Sequence, residues 1–208
     1  MGKKIAFTSS EEKIASEAMG KLINIYGNCA LNEADIIVAL GGDGFMLQTL
    51  HKTQDLSAPV YGMNRGTVGF LMNAYEEKGL LERLERSEEE MLNPLRMEAI
   101  TTNGSIKTAL AINEVSLLRA GPQAAKLSIS VDGKTRMSEL ISDGVLLSTP
   151  AGSTAYNYSA KGPILPIGSD VLALTALNAF RPRRWRGALI PKKSNVEVIV
   201  LEPDKRPI

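Results

Sequence analysis

The sequence has little cysteine, little histidine and almost no net charge, and each shortage limits the functions it can have. The 208 residues include one cysteine, Cys29, so no disulfide can form within the chain, and we expect a reducing cytoplasmic location. The only histidine, His51, is predicted late in a helix with a structural role, so we expect no histidine-based metal site or triad. A net charge of +1 offers no basic surplus, and we expect neither nucleic acid nor membrane as a partner.

Long hydrophobic runs are also missing. No stretch of 18 apolar residues occurs, so the sequence predicts no transmembrane helix. The N-terminal segment "MGKKIAFTSSEEK" has too few apolar residues for a signal peptide. With 44% hydrophobic and 23% charged residues, the composition is typical of a soluble protein with one large or two small domains.

Strands and helices alternate over residues 1–93, which predicts an α/β domain with a Rossmann-like parallel sheet. The apolar runs "KKIAFTSS", "DIIVAL" and "APVYGMN" are typical of buried parallel strands, and "GFMLQTLHK" and "EEKGLLERLERSEEEML" are expected to be helices. Ser9 and Glu12 have the spacing of a capping box that would start another helix, which we expect Gly27 to end. The apolar face predicted for that helix consists of Ile14, Ala18, Leu22 and Ile25.

Residues 94–208 have the pattern of a mostly antiparallel all-β domain. Extended runs flank Asn103-Gly104, and a second pair flanks Asp132-Gly133. Asn-Gly and Asp-Gly tolerate the positive φ angles of tight hairpin turns. The chain therefore predicts two domains, one on each side of residue 93.

A glycine-rich loop follows the strand "DIIVAL". Gly41, Gly42 and Gly44 would let the backbone approach a ligand, and the following helix would present unpaired N–H groups to phosphate. Asp43 is unexpected there, because a carboxylate repels phosphate. It fits a residue that holds a metal ion or takes a proton from an attacking hydroxyl, and the alternative is a helix-capping aspartate in a tight turn.

Three more segments combine glycines with polar side chains. "YGMNRGTVGFLMN" at 61–73 is a strand followed by a second glycine-rich loop, and "NE" at 113–114 places two polar residues inside an apolar strand. "SDGVLLSTPAGSTAYNYSAKGPILP" at 142–166 has hydroxyls, an amide and two phenols among small residues. Those groups suit hydrogen bonds to ribose and stacking on a ring, although a solvated surface loop is the alternative.

Taken together, these segments resemble the NAD kinase family. The resemblance is carried by "GGDG" at 41–44, "GMNRGTVGFL" at 62–71, "NE" at 113–114 and "DGVLLSTPAGSTAYNYSAKGPIL" at 143–165. It implies an α/β domain and a β-rich domain with the site between them. It also implies transfer of a phosphoryl group from ATP or polyphosphate to the ribose 2′-hydroxyl of NAD, with Mg²⁺ or another divalent cation, in a homo-oligomer (dimer or tetramer).

The resemblance also assigns roles to residues. Asp43 would be the general base on the 2′-hydroxyl, and Gly44 would lie against the ligand. Asp143 would contact the nicotinamide end or orient the ribose, and no metal ligand is identified. The other substrate-binding residues that it implies are Asn113, Glu114, Ala151, Thr154, Ala155, Tyr156, Asn157, Tyr158, Ser159 and Asn178.

Three features depart from the family pattern. Phe45 replaces the usual Thr or Ser after the glycine loop, which removes a hydroxyl. "LNAFRPRRWRGALIP" at 177–191 contains an arginine cluster, Arg181, Arg183, Arg184 and Arg186, that would be a subfamily variation, an oligomer contact, part of the donor site or a solvated face. The chain ends at "EPDKRPI", earlier than family members usually do, which we interpret as a truncated or dispensable tail.

Two other functions remain open from the sequence. A non-catalytic dinucleotide-binding module would bind NAD without phosphoryl transfer. A lipid or sugar kinase would share only "GGDG", and the hydroxyl-rich stretch at 148–159 argues against it.

Overall fold

The computed structural model describes residues 3–66 and 69–208 and divides into two compact units, Met1–Glu89 and Glu90–Ile208. Thr67 and Val68, which belong to the predicted motif at 62–71, lie outside the described residues.

The first unit contains a three-stranded parallel sheet. Its strands are β1 (Ile5–Ser9), β2 (Ile36–Gly41) and β3 (Val60–Asn64), in the order β1-β2-β3. All six residues of the central strand β2 are buried, as its continuous apolar sequence predicts. The predicted parallel sheet is confirmed, and its carboxyl edge carries both glycine-rich loops.

Three helices accompany this sheet: α1 (Lys13–Tyr26), α2 (Asp43–Lys52) and α3 (Leu80–Arg86). Gly27 ends α1 with a φ of 76°, as predicted. The third helix is shorter than the predicted one, because the polar run that follows Arg86 has no apolar side chain to bury until Met91. The core of this unit includes Leu22 of α1, Val38 and Leu40 of β2, and Leu80 and Leu84 of α3.

The start and the buried face of α1 differ from the prediction. The predicted capping box is wrong, because Ser9 is the last residue of β1, paired with Leu40, and Glu12 precedes α1 without a side-chain cap. Ile14 and Ile25 are about half exposed, at 50% and 53%. The face that packs on the core is narrower and contains Ala15, Ala18 and Leu22.

The second unit is antiparallel throughout its described pairings, which confirms the predicted all-β class. One sheet has the order β11-β10-β9-β6, a second has the order β12-β7-β8, and β4 pairs with β5. The strands are β4 (Leu95–Ile100), β5 (Ile106–Ala111), β6 (Glu114–Leu118), β7 (Ala125–Val131), β8 (Lys134–Ser142), β9 (Gly144–Ser148), β10 (Val171–Leu177), β11 (Gly187–Pro191) and β12 (Val196–Val200).

The core of the second unit lies between its two larger sheets. Leu127 and Ile129 of β7 pack in one cluster with Val145 of β9 and Leu174 of β10. The turn between β7 and β8 has positive φ at both Asp132 (51°) and Gly133 (73°). This is the geometry that two-residue hairpins require, and it explains why Asp-Gly marks the turn in the sequence.

A short helix, α4 (Tyr156–Ser159), follows a 3₁₀ turn at Ala151–Thr154 after strand β9. Within residues 3–66 and 69–208, no helix has the length and apolar character needed to cross a membrane.

The pairing of β6 with β9 depends on the absence of a side chain at Gly144. A Cβ there would overlap the backbone carbonyl of Leu117 and lie 3.2 Å from Cα of Leu118. We therefore expect Gly144→Ala to lower the unfolding free energy of the second unit by about 2 kcal/mol or more, since neighbouring backbone cannot yield cheaply. The measurement is urea unfolding followed by fluorescence of Trp185, the only tryptophan.

Gly121→Ala is the matched control for this experiment, because a Cβ at Gly121 meets nothing within 4 Å. It should leave the unfolding midpoint unchanged or raise it slightly. Equal midpoints for the two variants would contradict the close approach of β6 and β9.

Candidate functional site

The predicted phosphate loop lies at the junction of β2 and α2. Gly41 is the last residue of β2, Gly42 precedes the helix, and Asp43 is the first residue of α2. The second glycine-rich loop runs beside it, because Arg65 N–H donates to the Gly41 carbonyl over 2.8 Å. A Cβ at Gly66 would lie 3.5 Å from Gly42, so the two loops are in contact.

The Asp43 carboxylate joins these two loops. Its Oδ2 accepts a hydrogen bond from Phe70 N–H at 2.8 Å, and its Oδ1 accepts one from Leu71 N–H at 3.0 Å. A Cβ at Gly69 would lie only 2.5 Å from Oδ1. Gly42 is the N-cap residue of α2, and the Asp43 side chain bonds to the second loop instead of capping the helix.

The glycines of the first loop differ in what surrounds them. A Cβ at Gly41 would lie 2.8 Å from Cβ of Phe45, so packing requires that glycine. At Gly42 and Gly44 a Cβ would meet nothing within 4 Å. Packing among the described residues therefore explains Gly41 and leaves the space beside Gly42 and Gly44 open.

No group of three or more His, Cys, Asp or Glu side chains that could hold a metal ion occurs in the described part of the chain. A dedicated protein cage for a cation is therefore missing from those residues. Mg²⁺ in phosphoryl-transfer enzymes is held largely by substrate phosphates and water, with one or two carboxylates. Asp43, beside the open loop, is a carboxylate that fits this second arrangement.

Asn113 and Glu114 lie at the start of β6, where Glu114 pairs with Ser148 of β9. Asn113 Oδ1 and Glu114 Oε2 are buried, and neither has a hydrogen-bond partner among the described residues. Burial raises the pKa of the Glu114 carboxyl above its ordinary value. Because buried polar atoms are almost always paired with protein groups or ordered water, two adjacent unpaired acceptors make Asn113 and Glu114 candidates for contact with a ligand.

The loop after β9 packs directly against this pair. Thr149 N–H donates to the Asn113 carbonyl at 2.8 Å, and Thr149 Oγ1 donates to the Ile112 carbonyl at 2.6 Å. A Cβ at Gly152 would overlap the backbone of Asn113. The structure therefore brings Gly152 against the backbone of Asn113, and this close approach gives a physical reason for the glycine at 152.

Asn157 is completely buried within the same loop. Its amide donates to the Ser153 carbonyl at 3.1 Å and the Pro163 carbonyl at 2.8 Å, and its Oδ1 accepts from Thr175 Oγ1 at 2.6 Å. The side chain is thus fully used in holding the loop on β10. The neighbouring predicted residues are more open: Thr154 and Ala155 are half-buried, whereas Tyr156, Tyr158 and Ser159 are exposed.

Four of the predicted residues line one cavity of about 520 Å³ in the second unit. They are Asp143, Tyr156, Ser159 and Asn178. Two cationic residues that the sequence did not single out, Arg119 and Lys161, line the same cavity. The sequence signal for Arg119 is weak, because only the pairing of Leu118 with Gly144 places the next residue beside Asp143.

Asp143 is fixed at both carboxylate oxygens. Arg119 Nε donates to Oδ1 at 2.6 Å, and Asn178 Nδ2 donates to Oδ2 at 2.9 Å. These bonds, first from Asn178 and then from Arg119, hold the pKa of the Asp143 carboxyl below its ordinary value. Asn178 reaches this position with a left-handed backbone, φ 49°, which asparagine tolerates better than most residues.

None of the four arginines of the predicted cluster lines this cavity. Arg181, Arg183, Arg184 and Arg186 are exposed, whereas Trp185 packs against the core of the second unit. None of the four arginines forms an ion pair with a described residue.

Comparison with known proteins gives a single result for both units. Residues 2–90 match the model of the ATP-NAD kinase N-terminal domain, and residues 112–208 match that of the ATP-NAD kinase C-terminal domain. The chain is 66% identical over 205 residues to an NAD kinase of Cereibacter sphaeroides, covering 99% of this chain and 81% of that protein. It is 57% identical to an NAD kinase of Caulobacter vibrioides, covering 99% and 79%.

Two solved structures have the same fold. A crystal structure of an NAD kinase from Archaeoglobus fulgidus in complex with ATP has a TM-score of 0.72 and 25% identity, covering 95% of this chain and 80% of that one. A yeast NADH kinase complexed with NADH has a TM-score of 0.75 and 21% identity, covering 96% and 68%.

The unpaired Glu114 carboxyl has a consequence for stability. Since its pKa is raised in the folded state, the stability that this group contributes is present below its ordinary pKa and is lost as the pH rises through the raised value. We therefore expect Glu114→Gln to raise the Tm of the ligand-free protein by roughly 1–4 °C at neutral pH. The difference should disappear below about pH 4, where the glutamic acid is protonated.

Thermal unfolding of the two proteins at several pH values checks this prediction. Glu98→Gln is the control, because Glu98 is exposed on β4 and its replacement should leave Tm unchanged. A Glu114→Gln protein that melts at or below the temperature of the unaltered protein at neutral pH would contradict the unfavourable burial of the charge.

Proposed function

This chain belongs to the NAD kinase family, and from this premise we propose how its residues carry out the reaction. An NAD kinase transfers a phosphoryl group from ATP to the 2′-hydroxyl of the adenosine ribose of NAD, giving NADP. Matches to both family domains and 66% identity over nearly the whole chain establish this function and exclude a lipid or sugar kinase that shares only the GGDG sequence.

Asp43 is the general base in this proposal. A ribose hydroxyl is a poor nucleophile at neutral pH, and a carboxylate within hydrogen-bond reach removes its proton as the bond to phosphorus forms. The supporting observation is that Phe70 and Leu71 fix both carboxylate oxygens through backbone N–H groups. Each oxygen can accept a second hydrogen bond, so the group is oriented and still able to take a proton.

The donor phosphates lie against Gly42 and Gly44 in this proposal. The α2 N-terminus offers backbone N–H groups and the positive end of a ten-residue helix dipole. The open space at these two glycines supports this placement, because neither of them is needed for packing. Phe45, the third residue of α2, supplies no side-chain hydroxyl, so the phosphates are bound at that residue through the backbone.

NAD is bound by residues of the second unit in this proposal. Asn113 Oδ1 and Glu114 Oε2 are acceptors, and they fit the N–H and O–H donors of adenine and ribose. Asn157 contributes indirectly by fixing the loop, and its contact with NAD is through the backbone, since its side chain is completely buried and bonded within the protein. The rest of the loop supplies small residues that allow close approach, and exposed rings and hydroxyls: Ala151, Gly152, Thr154, Ala155, Tyr156, Tyr158 and Ser159.

A divalent cation, Mg²⁺ by preference, enters with the donor. When bound, it neutralises the negative charge on the phosphates that are being transferred. The described residues fit a cation carried by the donor phosphates, with Asp43 as the carboxylate near it. Inorganic polyphosphate is a second candidate donor. The backbone N–H groups at Gly42 and Gly44 would bind phosphate oxygens and would not distinguish a donor that carries adenosine from one that does not.

A cytoplasmic location and a homo-oligomer, a dimer or a tetramer, complete the proposal. The free Cys29 suits a reducing compartment.

Ile100 and Ile106, on the hairpin of β4 and β5, are 70% and 59% exposed, and large apolar side chains at such exposure favour an interface between copies. Light scattering of the purified protein measures the number of chains.

Asp43→Asn tests the role of the general base. The asparagine has nearly the same shape and cannot accept the ribose proton, so we expect kcat to fall by about 10²- to 10⁴-fold. NAD binding, measured by calorimetry, should change little. The assay is NADP formation from NAD, ATP and Mg²⁺.

Asp55→Asn is the control, because Asp55 is an exposed carboxylate just beyond the end of α2. The Tm of both variants must be measured, since the amide in Asp43→Asn can accept only one of the two hydrogen bonds from the loop. Turnover by folded Asp43→Asn protein at the normal rate would remove Asp43 from the role of base.

Removal of divalent cations tests the cofactor. We expect a chelator to abolish NADP formation and added Mg²⁺ to restore it, because the phosphate charge would otherwise remain uncompensated. The Tm of the ligand-free protein should not change on chelation, since the described residues form no metal cluster that supports the fold. Full activity in the presence of chelator would contradict the role of the cation.

A further inference from the structure

The Asp143 carboxylate is more firmly fixed than an exposed surface carboxylate needs to be. Its side chain is 37% exposed, yet each oxygen accepts a hydrogen bond from a different side chain, Arg119 or Asn178. Arg119 is fixed in turn, because its Nη1 donates to the Gly121 carbonyl at 2.6 Å. Its backbone N–H also donates to the Asp143 carbonyl at 2.9 Å.

Three chain segments converge to make this arrangement. Arg119 follows strand β6, Asp143 precedes β9, and Asn178 follows β10. These three strands are neighbours in the sheet β10-β9-β6, so the three residues meet at one end of it. Asp143 N–H donates to the Leu177 carbonyl at 2.8 Å, which extends the β9–β10 pairing up to the carboxylate.

This end of the sheet is a wall of the cavity of about 520 Å³. A lone surface ion pair contributes little to stability, typically less than about 1 kcal/mol. A set of bonds that fixes both oxygens of a carboxylate on a cavity wall is better explained by recognition of a ligand. The oxygens retain acceptor sites for the hydroxyl and carboxamide N–H donors that NAD carries.

We propose that Arg119 is a positioning residue for NAD, which holds Asp143 in the one orientation that accepts hydrogen bonds from the dinucleotide. This inference rests on the proposed function of Asp143 as an NAD contact. Arg119 uses Nε and Nη1 on Asp143 and Gly121, so in this inference it acts on NAD through Asp143.

The other polar groups of the cavity do not duplicate this role. The remaining titratable side chains of its lining are Tyr156 and Lys161. Neither is among the described residues that form a hydrogen bond or an ion pair with Asp143. Asn178 orients the second oxygen, but it carries no charge and cannot compensate the carboxylate.

The main experiment compares steady-state kinetics of Arg119→Gln with those of the unaltered protein. We expect KM for NAD to rise about tenfold, with kcat and KM for ATP changed by less than about twofold. The KM for NAD of Arg119→Lys should lie between those of Arg119→Gln and the unaltered protein. An ammonium group can reach Oδ1, but it lacks the planar pair of donors that also bonds to the Gly121 carbonyl. Arg136→Gln, at an exposed arginine on β8, is the control and should match the unaltered protein.

A double-mutant cycle separates positioning from general support of the fold. Asp143→Asn alone should raise KM for NAD, and Arg119→Gln should add no further rise in that background, because its only route to NAD has been removed. Additive effects, or equal rises in KM for NAD and ATP, would overturn the inference.

Calorimetric titration with NAD keeps this test independent of catalysis. The Kd for NAD should rise in Arg119→Gln by about the same factor as KM. If the unaltered protein formed no NADP, the proposed function would fail, and the Kd values would still decide the role of Arg119. An unchanged Kd in Arg119→Gln would overturn that role even in an active enzyme.

Discussion

Two backbone hydrogen bonds, from Phe70 and Leu71 to the Asp43 carboxylate, are the constraint on which the first unit's functional region depends. They bring the loop after β3 onto the loop after β2, although Asp43 and Phe70 are 27 positions apart in the chain. This contact explains why residue 69 is a glycine, since a Cβ there would collide with the carboxylate. The close approach of the two loops favours a glycine at position 66 as well. The two glycine-rich motifs are thus parts of one structure that presents a single carboxylate.

The polar residues of the loop after β9 differ from those at the start of β6 in how their hydrogen-bonding groups are used. Asn157 and Ser153 use their hydrogen bonds to hold the fold, and both are fully buried. Asn113 and Glu114, which the same loop covers, keep buried acceptors without partners in the described structure. The first pair fixes the loop, whereas the second pair leaves buried acceptors free of partners among the described residues.

Sequence reasoning succeeds here where a local pattern determines the structure. The parallel strands follow from continuous apolar runs, and the β7–β8 hairpin follows from Asp132-Gly133, because only a few residues adopt positive φ easily. Sequence reasoning fails where a residue's structure depends on a partner that is distant in the chain. The capping box is lost because Ser9 pairs with Leu40 on the neighbouring strand. The sequence does not predict a role for Arg119, because its partner Asp143 is 24 positions away. Their contact depends on the register of β6 against β9.

In the proposed function, the unpaired acceptors at Asn113 and Glu114 set stability against binding. A buried polar group without a partner costs roughly 1–3 kcal/mol, and a charged group costs more. An amide at position 114 would reduce that cost, but in the proposed function it would also present N–H donors towards the ribose hydroxyl and adenine amino groups, from which a carboxylate accepts. A carboxylate presents acceptors only, so it favours hydroxyl and amino groups and disfavours competing acceptors. Burial raises the pKa of Glu114, and in the proposed function the dinucleotide supplies the hydrogen bonds that the described residues do not.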